Sequence, residues 1–371
     1  MIRINQLKLK PDHTKKQLLQ AIVQQLKVSE QQILEYDIVK RSIDARKKPD
    51  IYFQYTIDVS LENEIQFLKK NKNPQIVKSE KISYLFPNQG STPLQEAPIV
   101  IGSGPAGLFC AYQLAQAGYQ PILLERGDDV TKRKQVVDLF WEEGTLDLES
   151  NVSFGEGGAG TFSDGKLNTL VKDKNGRNHQ VLKLFVQHGA PEEILYESKP
   201  HIGTDVLIHV VENIRNSICA MGGKVHFRSK VTDFLIEGNQ IYGVITADGT
   251  IYKSKVVVLA IGHSARDTFV LLQEKNVIME AKNFAIGFRV EHPQALINLN
   301  QYGNHNYQLP TAPYKLTAQT EEGRGVYSFC MCPGGYVVNA STEEHRLAIN
   351  GMSYSKRDGE NANSAIIIAM D

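Results

Sequence analysis

Cysteine is scarce, with four residues in a chain of 371, too few for a disulfide framework. That scarcity argues against the disulfide-stapled secreted scaffolds and makes a reducing, cytoplasmic compartment the expectation. An excess of either charge is missing as well. The 41 basic and 41 acidic residues cancel, which disfavours a nucleic-acid surface or a strongly acidic partner. No apolar run approaches the roughly 18 residues that a membrane span needs. The opening MIRINQLKLKPDH has no apolar stretch of the kind a signal peptide carries. Without secretion, Asn151-Val-Ser153 and Asn339-Ala-Ser341 match the glycosylation pattern to no effect. Internal repeats and low-complexity tracts are also missing. What remains is 42% apolar and 22% charged residues, the balance of a globular protein of two or three domains.

The most informative stretch is IVIGSGPAGLFCAYQLAQAGYQPILLERG, residues 99–127. An apolar strand, Ile99–Ile101, runs into Gly102-x-Gly104-x-x-Gly107, a helical pattern closes at Gly118, and a second strand ends on Glu125. Three glycines alone are a weak signal, but here they have the strand, helix and terminal acid that a dinucleotide-binding unit requires. Gly102 allows the tight turn, Gly104 lets backbone approach a pyrophosphate, and Gly107 lets the helix pack on the strand. The helix N-terminus offers unpaired N–H groups to that pyrophosphate. Glu125, 18 residues past Gly107, can accept hydrogen bonds from ribose hydroxyls, and its charge disfavours a 2′-phosphate.

Residues 1–87 read as a separate module. Its strands are Ile2–Leu9, Ile33–Ser42, Ile51–Val59 and an extended segment over Gln75–Tyr84; its helices are Thr14–Lys27, with Thr14 as N-cap and Leu18, Leu19, Ile22, Val23 and Leu26 at helical spacing, and Leu61–Lys70. The order β-α-β-β-α-β is that of a ferredoxin-like fold. The basic stretch Lys40–Lys48 reads as a solvated loop joining two strands. Residues 88–97, rich in Pro, Gly and Ser, form the linker. Beyond it come a helical stretch over Asp128–Glu143, a Gly-rich segment from Phe154 to Lys166, and helical patterns near 178–189 and 204–221. Three short strands follow (Lys224–Phe227, Val231–Glu237, Gln240–Thr246), then the buried-strand run Lys255–Ala260 and strand-like runs at Ala285–Glu291, Gly325–Cys332 and Tyr336–Ala340.

In this order the fingerprint, Glu125-Arg126-Gly127, a meander near 224–252 and the run ending Ala260-Ile-Gly262 resemble the FAD-binding oxidoreductases of the glutathione-reductase-like superfamily. Within it, the strings RSIDARKK (41–48), GSGPAGLF (102–109), SFGEGGAGTFSDGKLNT (153–169), AIGHSARD (260–267) and YSFCMCPGGYVVNAS (327–341) resemble a family of bacterial FAD-dependent dehydrogenases. The resemblance implies an α/β chain with a FAD-binding Rossmann-like domain over 98–268, an inserted α+β substrate domain and the N-terminal α+β module. It makes 269–371 a substrate or cap region, incomplete at its C-terminal end, because the segment that closes the FAD site in relatives is not found before Asp371. The expectation attached to that is exposed apolar surface.

The resemblance also assigns residues. Gly102, Gly104 and Gly107, with Pro105 and Ala106 in the same turn, would cradle the FAD pyrophosphate. Glu125 would hold the adenosine ribose, with Arg126 beside it, and Val231 would meet the adenine through its backbone. Ala260 and Gly262 would lie by the dinucleotide. The loop carrying Gly158, Gly160, Thr161 and Lys166 would pass near the flavin, where backbone N–H groups can stabilise charge on the reduced ring. Ser163 and Asp164 are polar neighbours in that loop.

His263 and Arg266 are the candidates for proton donation or substrate contact. Cys330 and Cys332, two apart in a strand-like run, would share a face and read as structural, as do Cys110, Cys219 and His209. No metal site is expected. The expected function is hydride transfer between an organic substrate and FAD, with NAD(P)H as a transient visitor, since no second strand–GxGxxG–helix unit appears. The rival expectations are a flavin-dependent RNA-modification protein and an inactive truncated remnant. The expected partner is a small molecule, not a membrane; the sequence leaves substrate and oligomeric state open.

Overall fold

The computed structural model describes residues 1–169 and 171–370. They form two compact units. The first combines Met1–Phe86 with Lys166–Ile202 and Pro293–Tyr314; the second combines Pro87–Gly165 with Gly203–His292 and Lys315–Asp371.

The first unit opens with β1 (Ile2–Leu9), α1 (Lys15–Leu26), β2 (Ile33–Lys47), β3 (Asp50–Leu61), α2 (Glu64–Lys70) and β4 (Ile76–Lys78). The sheet order β2-β3-β1-β4, antiparallel throughout, is the ferredoxin-like arrangement. Helix α1 starts on a capping box, in which Thr14 and Gln17 satisfy each other's backbone N–H groups. Its apolar stripe, Leu18, Ile22 and Leu26, packs on Ile2, Ile4, Tyr55, Ile57 and Val59. The strands β2 and β3 run longer than their apolar alternation predicts, so the basic stretch Lys40–Lys48 is the second half of β2 running into the hairpin turn, not a loop. Its charges are paired: Lys8 and Arg46 with Asp44 at 2.7 and 2.8 Å, and Lys10 with Asp50 at 2.9 Å. Lys48 donates to the carbonyl of Asn300.

That long hairpin also explains why this unit is discontinuous in sequence. Ile43, Ala45 and Ile51 near its tip are covered by Tyr302, Tyr307 and Ala312. Further along β2, Arg41 pairs with Glu197, and its N–H donates to the Tyr196 carbonyl at 2.7 Å. Residues 166–202 and 293–314 pack with residues 1–86.

The second unit is built on β5 (Ile99–Ile101), α3 (Pro105–Gln116), β6 (Ile122–Leu124), α4 (Val130–Glu143), α5 (Thr204–Ala220) and β7 (Lys224–His226). Strands β8 (Val231–Glu237), β9 (Gln240–Thr246) and β10 (Ile251–Lys253) form an antiparallel meander. The chain then returns through β11 (Val257–Leu259) to the parallel sheet of order β11-β5-β6-β7 and leaves by α6 (Arg266–Glu274). One expectation is corrected here. Lys224–His226 is no part of the meander. It follows α5 through Gly222-Gly223 and pairs parallel to β6, as a helix crossover dictates. Ile99, Ile101 and Leu124 pack with Val231, Phe234, Val244 and Leu272, so the meander and α6 share one core with the parallel strands.

The unit ends in β12 (Phe284–Pro293), β13 (Thr317–Gln319), β14 (Gly325–Cys332), β15 (Tyr336–Asn339), β16 (Ile349–Met352) and β17 (Asn361–Met370). They form a sheet of order β12-β17-β14-β13 and a β15-β16 hairpin. Phe284, Ile286, Phe288 and Phe329 on this sheet are exposed, Phe288 to 71%. Cys330 takes a left-handed φ of 47° at a register shift, which breaks the alternation that would have put it on one face with Cys332. Among the described residues, no helix is long and apolar enough to cross a membrane.

Candidate dinucleotide site

A cleft of about 520 Å³ opens over the C-terminal ends of β5 and β6, within the range of ligand sites. This is the crevice where open α/β sheets bind ligands. Its walls come from six segments: the turn between β5 and α3, residues 124–126 at the end of β6, the Gly-rich loop, residues 229–231 at the start of β8, residues 259–265 after β11, and Thr268, Phe269 and Leu272 of α6.

The three fingerprint glycines have separate roles. Gly102 has φ +95°, and a Cβ there would lie 2.5 Å from the Ala260 carbonyl oxygen. At Gly107 it would lie 1.8 Å from the Gly102 oxygen, so this glycine is buried packing and does not line the cleft. At Gly104 it would meet nothing nearer than Gly158 Cα at 3.8 Å. Gly104 caps α3 without a side chain, and Pro105 occupies the first helical position, where its missing N–H costs nothing. The uncapped N-terminus of a 12-residue helix therefore faces the cleft, as a pyrophosphate requires.

Glu125 is buried at the cleft floor with a full set of donors. Ser103 N and Oγ each donate to Oε2 at 2.7 Å, and Gly127 N and Gly155 N donate to Oε1 at 2.9 and 3.0 Å. Four donors match the four lone-pair positions of a carboxylate. Glu125 thus ties the fingerprint turn to the Gly-rich loop, and a ribose hydroxyl would have to exchange with the Ser103 hydroxyl.

The Gly-rich loop lies against the fingerprint turn: Gly157 N donates to the Ser103 carbonyl at 2.9 Å. Arg133, fully buried on α4, fills the loop from behind. Its five N–H donors reach five carbonyls: Asn151 (2.9 Å), Val152 (2.8 Å), Gly155 (3.3 Å), Glu156 (2.6 Å) and Gly158 (3.0 Å). The Phe162 ring lies 4.9 Å from the guanidinium carbon. Burial pushes Arg133 down to about 10, which leaves it protonated at neutral pH.

Glu156 is also buried. Val130 N, in the first turn of α4, donates to its Oε2 at 2.8 Å, while Oε1 accepts no hydrogen bond and has Arg215 Nε at 3.4 Å. Burial raises this carboxyl to about 7 against both attractions. Farther along the loop, Asp164 is buried and bidentately paired with Arg357, with Nε at 3.0 Å from Oδ1. Ser353 also donates to it.

One end of the cleft is closed by a square of charges. Arg126 and Lys230 each bond both Glu149 and Asp267, at 2.7 to 2.9 Å. Burial works against ionisation of Asp267, but the bonds from Arg126 and Lys230 prevail and hold it below the usual carboxylate range. Arg126 also lies over the Phe154 ring at 4.1 Å.

Of the residues singled out in the sequence, Gly102, Gly104, Pro105, Ala106, Glu125, Arg126, Gly158, Gly160, Val231, Ala260, Gly262 and His263 meet at this cleft. Thr161 is buried behind it, its hydroxyl 3.5 Å from the Glu156 carbonyl. Lys166 belongs to the first unit, where it forms a bridge with His201. Arg266 lines an adjoining depression that shares Arg126, Phe154, Lys230 and Ser264 with the cleft, and it pairs with Glu343. Arg133, Glu156 and Arg357 were missed. A buried glycine loop signals that its carbonyls need donors, but nothing in the polar face of α4 says which residue supplies them. Among the described residues, no group of three or more His, Cys, Asp or Glu side chains is placed to hold a metal ion.

Residues 283–371 match the family described as FAD-dependent protein, C-terminal domain-like. Residues 100–154 match an NAD(P)-binding Rossmann-like domain, and residues 1–60 a domain of unknown function. An uncharacterized protein of Clostridium beijerinckii is 49% identical over 372 residues, covering 100% of this chain and 69% of that protein. Among solved structures, L-amino acid deaminase from Proteus vulgaris is similar at 11% identity and a TM-score of 0.37, over 76% of this chain and 71% of its own. Glycerol-3-phosphate dehydrogenase from Bacillus halodurans, complexed with FAD, is similar at 13% identity and a TM-score of 0.37, over 75% and 48%.

Proposed function

The chain belongs to the FAD-dependent protein family, and from that premise we propose that it is an oxidoreductase moving a hydride between a small organic substrate and FAD held in the cleft over β5 and β6. The observation that carries this reading is the uncapped α3 N-terminus facing a cleft whose opposite wall is the Gly-rich loop. Bound flavin would supply the hydride-accepting ring nitrogen. The chain supplies binding and orientation. Gly104 allows backbone approach to the pyrophosphate, and the α3 N-terminus favours its charge. Val231 and the Arg126–Lys230 end would receive the adenosine part. His263, at the cleft edge with its Nε2 3.4 Å from Ser264 Oγ, is the candidate to hold or move a proton. Arg266, paired with Glu343 outside the cleft, is given no catalytic role.

The test is anaerobic mixing of FAD-loaded protein with NADH, NADPH and panels of amino acids, hydroxy acids and amines. Loss of the yellow flavin band with one donor class supports hydride transfer and names the substrate class. A band that persists with every donor, yet bleaches with dithionite, contradicts it. His263→Ala is expected to slow reduction without weakening FAD binding.

A further inference from the structure

Arg133 has no role in the proposed reaction, yet it is the most committed side chain in the second unit. A fully buried guanidinium normally bonds a carboxylate, because an unpaired buried charge is costly. All five of its donors go instead to carbonyls of residues 151–158. The consequence follows from the planar trans peptide, in which C=O and N–H point in opposite directions. Where the Glu156 carbonyl points at Arg133, the next N–H, Gly157, points at the Ser103 carbonyl in the fingerprint turn. Where the Gly158 carbonyl points at Arg133, the N–H of Ala159 points away from it, and Ala159 lines the cleft. The buried cation therefore fixes the direction of the loop peptides: the N–H groups of Ser153, Glu156 and Gly157 are taken by Asn151 Oδ1, the Asp128 carbonyl and the Ser103 carbonyl, and that of Ala159 lies at the cleft. Low local dielectric strengthens these hydrogen bonds.

The geometry points to Arg133 as the positioning residue of the dinucleotide site. It fixes the 151–160 loop before the cofactor arrives and holds the Gly158–Ala159 peptide with its N–H edge at the cleft. This rests on the FAD reading for the identity of the ligand but not for the order of the loop. Lysine cannot substitute, because three donors on a point charge cannot reach five carbonyls. Gly155, with φ +112°, is the loop's matching feature, since a Cβ there would lie 2.5 Å from Arg133 Cδ.

The test compares wild type with Arg133→Lys in two measurements on the whole chain: amide hydrogen exchange without FAD, and FAD affinity by titration. In wild type the amides of 151–160 are expected to be protected to a degree similar to β5 and β6. In Arg133→Lys, β5 and β6 stay protected while the loop exchanges faster, and FAD dissociation rises by about tenfold or more. The absorbance bands of the FAD that still binds are expected to shift, which a loss of stability alone would not cause. Unchanged loop exchange or unchanged affinity in a folded Arg133→Lys protein overturns the inference. If that variant does not fold, wild type decides: a loop that becomes protected only when FAD is added overturns it. If wild type binds no FAD, the functional reading falls, while the exchange measurement still judges Arg133.

Discussion

At the scale of single residues, the glycines of the fingerprint separate packing from binding. Gly107→Ala drives a Cβ into the Gly102 carbonyl, so it is expected to unfold the second unit or lower its melting point sharply. Gly104→Ala meets only ordinary contacts, so stability is expected to stay within about 1 kcal/mol while FAD affinity falls. Thermal unfolding and FAD titration of both variants distinguish the two roles. Glu156 gives a pH prediction. Burial raises its folded value to about 7, so the fold binds a proton that the unfolded chain releases near the ordinary carboxyl value. Its stabilising contribution is complete below that ordinary value and is lost as pH rises toward 7. The Val130 N–H and Arg215 oppose the shift, and Asp129 and Glu212 add to it. Glu156→Gln is expected to gain on wild type as pH rises from 5 to 8, by up to about 3 kcal/mol. Melting curves at several pH values check this; a constant difference contradicts it. Glu125 shows where the sequence misleads at this scale. Its type and spacing were legible, but the four donors on it were not, because Ser103, Gly127 and Gly155 meet it only in the fold.

At the scale of elements, periodicity was a good guide where one face is buried and a poor one where a turn decides. The α1 stripe and its cap were readable from Thr14 to Leu26. Lys224–His226 was misread as part of a meander because three residues show too little pattern to reveal a parallel neighbour. The basic stretch Lys40–Lys48 reads as a loop, yet it is strand as far as Lys47, because its polar residues hide the pairing with β3. The link between the Gly-rich loop and the 353–357 segment was also invisible, since the partners Asp164 and Arg357 lie 193 residues apart. Breaking that buried pair from one side leaves an uncompensated charge. Arg357→Met is expected to cost about 3–5 kcal/mol, and Asp164→Asn added to it to recover part of the loss. Urea unfolding of the two singles and the double decides this; additive losses would mean the two side chains do not interact.

At the scale of the whole molecule, the fold class and the FAD family were legible because the fingerprint carries its own context, whereas the two compact units were not. The first unit gathers 166–202 and 293–314 around a long hairpin, and no composition shift marks those joins. The second unit alone contains the cleft, with both of its glycine walls. The measurement that tests the account most directly is a calorimetric titration of FAD into the purified chain and its Gly104→Ala variant. The account predicts one FAD bound per chain, with affinity lost in a variant that melts as wild type does. No binding by wild type, or equal binding by both, would contradict it.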